Sequence, residues 1–279
     1  MSHARNLARI ARTGIHTVPT AQALRDLVIY NGLYPEIVET KSALKLGDNG
    51  GGQWRWDAAS TATDDLGTVL LPTGRSGAGR WVRLERGHVS VDWFGAVADA
   101  SMTETLTSSG TDNSGAFQMA FNAAQALAVP IKLGAGAYAL RKPIRGEGRS
   151  YFAAGAYNPP FSGVSRTQTL IIDDNQQAFP LFDFVDYQRT FFSKLAIRTV
   201  ASSKSTCQIF ICQRGATAGS MFELRDVNCW AIPGAANFVC SLYNAGCDMF
   251  VMDNSSITTY IGSGIIALPP APGKTPKVT

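Results

Sequence analysis

The sequence predicts a mainly β protein. Its C-terminal two thirds wind as a parallel β-helix with an N-terminal capping helix, behind a small α+β domain and an extended N-terminal arm. Three observations carry this: a repeat of strand-like segments near 28–30 residues, one short amphipathic helix placed just ahead of the repeats, and Gly-, Asp- and Asn-rich turns between short apolar runs.

The repeat lies in the last third. Leu181-Phe182, Ile209-Phe210 and Phe238-Val239 are spaced by 28 and 29 residues, and Phe191-Phe192, Met221-Phe222 and Met249-Phe250 by 30 and 28. Two interleaved series with one period require at least two strands per coil, with equivalent side chains stacked on the coil above. A sandwich also has many short strands but does not predict a constant separation between alternate ones. Asn228, Asn237, Asn244 and Asn254 suit corners that need left-handed backbone. A β-helix needs a lid over its first coil. Phe117, Ala120, Phe121 and Ala124 fall at i, i+3, i+4 and i+7, so the stretch Gly115–Leu127 forms a helix with one apolar face, and Asp112 or Ser114 can cap it.

Before the repeats the chain divides three ways. Residues 1–19 read as an arm with apolar residues at Leu7, Ile10, Ile15 and Val18 among Arg5, Arg9 and Arg12, ending at Pro19. It is either a disordered terminus or a docking segment that orders on a partner. Residues 20–87 read as the small α+β domain. A helix starts at Thr20 and stops at Asn31-Gly32, and strands follow near residues 36–40, 52–57, 67–71 and 80–84. Trp54 and Trp56 share one strand face and fill core, and Asp64-Asp65 is turn chemistry. Residues 88–268 hold the β-helix. Residues 269–279 form a Pro-rich tail, an extended linker to a longer chain or an end that packs on neighbouring subunits.

Composition removes several function classes. The net charge of +4 is spread out, and Arg5, Arg9 and Arg12 are too few for a nucleic-acid face. No run of 18 apolar residues exists to enter a membrane, and the polar, basic start does not resemble a secretion signal. Cys207, Cys212, Cys229, Cys240 and Cys247 match no zinc spacing and read as reduced, buried thiols, so no metal site is expected. The run Gly47-Asp48-Asn49-Gly50-Gly51-Gly52 is not a phosphate loop, and no cofactor is expected.

The words Gly50-Gly51-Gly52-Gln53-Trp54-Arg55-Trp56-Asp57, Thr63-Asp64-Asp65-Leu66-Gly67-Thr68-Val69 and Gly79-Arg80-Trp81-Val82-Arg83 resemble the unit ahead of the β-helix in bacteriophage tailspikes. Trp93-Phe94-Gly95-Ala96, the Asp112-Asn113-Ser114-Gly115 helix start and Leu133-Gly134-Ala135-Gly136-Ala137-Tyr138 resemble the opening of the pectate-lyase-like right-handed parallel β-helix in the same family. Where that family commonly has an Asp pair this chain has Asp112-Asn113, and residues 100–111 are an insertion.

The resemblance implies a right-handed helix and a homotrimeric virion protein made in the host cytoplasm. It would attach to other phage tail proteins through the arm residues Leu7, Ile10, Ile15 and Val18 and recognise bacterial surface polysaccharide. The alternative is a polysaccharide depolymerase, a glycoside hydrolase or a lyase. The repeat section carries few acids: Asp173, Asp174, Asp183, Asp186, Glu223, Asp226, Asp248 and Asp253. Asp226 and Asp253, 27 apart, could stack on adjacent coils. No catalytic residue is assigned. A secreted pectin-degrading enzyme is disfavoured by the absent signal.

Overall fold

A computed structural model describes residues 15–27, 35–46, 48–85, 87–102, 108–147, 161–185, 189–212, 221–231, 235, 238–245, 249–259, 263–268 and 277–278. The chain forms two compact units, Met1–Ala96 and Val97–Thr279. The division falls after the expected boundary at residue 87. The 3-10 turn Val91–Phe94 belongs with the first unit because the Trp93 ring lies on the Arg83 guanidinium and Phe94 packs where a Gly67 side chain would be.

In the first unit, β1 (His16–Thr20) pairs parallel with β2 (Ile37–Ser42), followed by β3 (Gly52–Asp57), β5 (Arg80–Arg83) and β4 (Val69–Leu70) in antiparallel order. Pro19 is accommodated because β1 is an edge strand, where a missing N–H costs no ladder bond. The core is Val18, Ala21, Leu24, Val38, Trp54, Leu70 and Trp81, so Trp54 is core filling, with Trp56 packed against it. Helix α1 (Ala21–Arg25) starts as expected, with Thr20 Oγ1 accepting the Ala23 N–H at 3.2 Å. It stops early because the Arg25 carbonyl accepts the Thr73 N–H at 2.9 Å and the Arg25 side chain is drawn to Asp64. The rest of the expected helix falls largely in residues 28–34, outside the described residues. Asp65 accepts the N–H groups of Gly67, Thr68 and Val69, the turn role expected of it.

After the short strands β6 (Val89–Ser90), β7 (Ser101–Met102) and β8 (Ser108–Ser109), the second unit winds through three strand columns. The first coil is β9 (Ile131–Lys132), β10 (Gly136–Leu140) and β11 (Ile144–Glu147); the second is β12 (Phe161–Ser162), β13 (Thr169–Asp173) and β14 (Phe182–Val185). In the third, β15 (Arg189–Thr199) runs through two columns and β16 (Cys207–Cys212) forms the last; β17 (Met221–Ala231) and β18 (Cys240–Ala245) repeat this in the fourth. The fifth is β19 (Met249–Asp253), β20 (Ser256–Thr259) and β21 (Ser263–Leu268). All coil-to-coil pairings among these strands are parallel. Lys277–Val278, in the segment expected to be a Pro-rich tail or linker, pairs parallel with Met249–Phe250.

The register corrects the expected stacks. Phe222 lies opposite Phe250 as expected, with rings 5.6 Å apart and 6° from parallel. Phe192 pairs with Leu224 rather than Phe222, a two-residue slip that keeps the inward face. In the third column Phe182, Ile209 and Leu242 align, not Leu181 and Phe238. Leu181 and Phe182 are both buried, so apolar character alone does not choose between them. Phe238 sits in a turn against Ala231 and Ala235. The left-handed corner is a register line of Lys194, Asp226 and Asn254 with φ of 55°, 54° and 46°. Of the asparagines expected at corners, Asn254 is there, Asn228 and Asn244 lie in strands, and Asn237 is outside the described residues.

Helix α2 (Ser114–Leu127) is the expected lid, with Phe117, Ala120, Phe121 and Ala124 fully buried. The Phe121 ring stacks on Phe184 at 5.3 Å and Phe117 meets Tyr138 at 5.6 Å. The lid also closes the backbone edge of the first coil. Gln118 donates to the Arg145 carbonyl at 2.9 Å and accepts the Arg145 N–H at 2.8 Å, as a neighbouring strand would. Phe121→Ala is expected to destabilise the β-helix by about 3–5 kcal/mol, read by denaturant unfolding followed by far-UV circular dichroism. A cost below 1 kcal/mol would show that the ring does not plug the coil.

One interior corner is polar. Asp173 is fully buried and accepts from the Thr199, Ser203 and Ser205 hydroxyls at 2.8, 3.0 and 2.7 Å and from the Asn175 N–H at 3.2 Å. Burial pushes its carboxyl from 3.8 up to about 6, against the pull of those donors. The folded value exceeds the unfolded one, so this contribution to stability is full below pH 3.8 and is lost as the pH rises to about 6. The difference is about 3 kcal/mol. Asp173→Asn should fold and abolish this slope, since its amide can donate to Thr199 Oγ1 where the carboxylate accepts. Unfolding free energies of both proteins from pH 4 to 7 test it, and parallel curves would refute the assignment.

Candidate functional site

The outer wall of the third column carries a register line of Arg145, Asp183, Phe210 and Tyr243 on four successive coils. Alternation along each strand turns these side chains outward, while Phe182, Ile209 and Leu242 fill the interior. The Phe210 and Tyr243 rings stack at 5.1 Å and 20°. The Arg145 guanidinium lies 4.3 Å from the Phe179 ring centre, and its Nε is 3.9 Å from Asp183 Oδ2. Phe179, Asp183, Phe210 and Tyr243 border a groove of about 440 Å³ with Val185, Val239, Cys207 and Cys240.

Phe179 is 48% exposed, but its backbone is held: its carbonyl accepts Asn175 Nδ2 at 3.0 Å and the Thr206 N–H at 3.3 Å. An aromatic presented on a fixed turn beside a stacked pair and a carboxylate suits a ligand with apolar C–H faces and hydroxyl groups. The rings cover the C–H faces, and Asp183 accepts from the hydroxyls. Asp183 is the sole carboxylate among the described residues lining the groove, whereas glycoside hydrolysis uses two.

Other acids are occupied structurally. Asp226 lies opposite Asn254, not Asp253; Asn254 Nδ2 donates to it at 3.1 Å and Arg166 pairs with it at 3.3 Å. Asp253 lies opposite Arg225, so the like-charge stack suggested by their 27-residue separation does not form. Asp174 accepts from Ser108, Ser202 and Gln176 and pairs with Arg141. Asp186 and Asp248 fall outside the described residues.

Of the arm residues, Leu7 and Ile10 lie outside the described residues and Ile15 is 52% exposed. Val18 is a correction: it is 6% exposed in β1, paired opposite Thr40 and packed in the core. Its apolar side chain is consumed by the domain, so a docking arm must end before His16. The groove residues were missed, although Phe210 and Tyr243, 33 apart, and Asp183, 27 before Phe210, lie near the coil spacing.

Along the chain a small mixed sheet is followed by a lidded parallel β-helix. Residues 17–86 match the family model described as the phage tail protein small four-stranded β-sheet domain. No curated protein matches the sequence. Among solved structures, tailspike gp49 of Acinetobacter baumannii bacteriophage Fri1, a capsular polysaccharide depolymerase, is similar at TM-score 0.58 and 16% identity, over 93% of this chain and 51% of that one. Pantoea stewartii WceF is described as a glycan biofilm modifying enzyme with a tailspike-like parallel β-helix. It is similar at TM-score 0.55 and 17% identity, over 91% and 41% of the two chains. The tailspike of Acinetobacter baumannii phage AM24 is similar at TM-score 0.53 and 14% identity, over 86% and 42%. The chain thus has the tailspike parallel β-helix fold, and it spans about half or less of the length of these structures.

Proposed function

We propose that this chain is the particle-proximal part of a bacteriophage tailspike, a structural virion component that presents its β-helix to bacterial surface polysaccharide. The observation that carries this is the order along the chain: a segment matching a phage tail domain at residues 17–86 runs straight into a lidded β-helix. In this reading the protein is a homotrimer, the segment before His16 holds it to another tail protein, and the third-column groove takes sugar rings. Three arms acting together would convert weak single contacts into durable attachment.

Deleting residues 1–14 tests the attachment. The truncated protein is expected to fold as a trimer and fail to join particles; incorporation at normal copy number would overturn the anchor. For the groove, Tyr243→Ala and Phe210→Ala are each expected to weaken polysaccharide binding about tenfold, or about 1.4 kcal/mol. Unchanged affinity in both would remove the groove from recognition. The second reading, a depolymerase, draws on the names of the Fri1 and WceF proteins. New reducing ends or unsaturated sugars released from host polysaccharide, and lost in Asp183→Asn, would favour it over binding alone.

A further inference from the structure

Cys207 and Cys240 are the first residues of β16 and β18 and lie opposite each other in register on the third and fourth coils. Both are buried, and both border the groove, three positions before Phe210 and Tyr243. The Cys207 S–H donates to Cys240 Sγ, which holds the Cys240 thiol below its ordinary range and raises that of Cys207. Neighbouring strands run about 4.8 Å apart, within the span of about 4.4–6.8 Å that disulfide-linked Cα atoms occupy. The Val239 N–H donates to the Thr206 carbonyl at 2.8 Å, so the two strands are already held together immediately before the cysteines. Cys229 differs: it lies between Ile197 and Ile257, and burial pushes its thiol up to about 12.

We propose that Cys207 and Cys240 are an oxidative modification site that forms a disulfide between adjacent coils when the protein meets a peroxide. The Cys240 thiolate attacks one peroxide oxygen, the O–O bond breaks, and hydroxide leaves, giving a sulfenic acid. Cys207, losing its proton, then attacks that sulfur and expels hydroxide, so that two thiols and one hydrogen peroxide give one disulfide and two waters. The groove admits an oxidant of this size. The bond closes a 33-residue segment and ties β16 to β18 beneath the Phe210–Tyr243 pair. The proposal does not depend on the polysaccharide reading.

The test uses the full chain with Cys212→Ser and Cys247→Ser, treated with hydrogen peroxide and digested without reductant. The expected result is a Cys207–Cys240 linked peptide two hydrogens lighter than the free pair, with Cys229 unmodified. The urea midpoint should rise by roughly 1 M and fall back with dithiothreitol. Adding Cys240→Ser should remove both the linked peptide and the shift. Cys207 and Cys240 both still open to alkylation after unfolding, or Cys240 carried to sulfinic acid without a link, would overturn the proposal.

Discussion

Asn113→Asp is expected to destabilise the β-helix by about 3–5 kcal/mol at pH 7 while adding no bulk. Asn113 is 1% exposed, and its side chain works as a strand edge. Oδ1 accepts the Val97 N–H at 2.7 Å, and Nδ2 donates to the Val97 and Thr111 carbonyls, each at 3.0 Å. Its backbone continues the same closure, donating to the Ala139 carbonyl at 2.9 Å and accepting the Phe117 N–H at 3.0 Å. A carboxylate would keep the first bond and turn its second oxygen on two carbonyl oxygens, losing two hydrogen bonds and burying an unpaired charge. Protonation restores one donor, so the folded-state pKa of the introduced acid lies above its unfolded value. The deficit against wild type should therefore shrink as the pH falls toward 4 and be greatest above the folded value. Denaturation followed by far-UV circular dichroism at several pH values reads both effects. A variant as stable as wild type at pH 7 would show that the amide is dispensable.

Arg83→Met should cost the first unit about 4–5 kcal/mol, because it takes the Arg83 donors from two buried carbonyls and one partly buried one. Arg83 Nε donates to Gly67 O at 2.8 Å, Nη1 to Gly51 O at 2.8 Å and Nη2 to Gly50 O at 3.0 Å. The guanidinium lies 4.5 Å from the Trp54 ring centre and 4.3 Å from that of Trp93. Burial lowers its pKa to about 10, which still leaves it charged at neutral pH. Arg83→Lys should recover little, since a single ammonium cannot reach three divergent carbonyls. Four of the five tryptophans, Trp54, Trp56, Trp81 and Trp93, belong to the first unit, so tryptophan fluorescence follows its unfolding while far-UV circular dichroism follows the β-helix. The fluorescence transition should move to lower urea with the circular dichroism transition in place. Coincident, unshifted transitions would rule out the role given to Arg83.

Sequence by itself determined the features that close over short distances. The lid helix is written in the i, i+3, i+4, i+7 spacing of Phe117, Ala120, Phe121 and Ala124, which one helix face must bury together. The Thr20 cap and the Asp65 turn follow from side chains that reach backbone N–H groups three or four residues away. The Phe222–Phe250 stack was legible because the fourth coil repeats without a change in length there.

Tertiary structure decided whatever depends on partners far apart in the chain. Strand alternation specifies a face but not a register, so adjacent apolar residues such as Leu181 and Phe182 left the third column one residue out of step. Coil lengths vary as well, with Phe161 to Phe192 spanning 31 residues and Leu224 to Met252 spanning 28, which blurs any single period. Val18 read as an arm residue because nothing local reveals that β1 pairs with β2 some twenty residues on. Asn113, Arg83 and the outward register line of Arg145, Asp183, Phe210 and Tyr243 were hidden for the same reason. Each acquires its role from groups 16 to 38 residues away, and only the winding of the coils and the closing of the small sheet bring those groups within bonding distance.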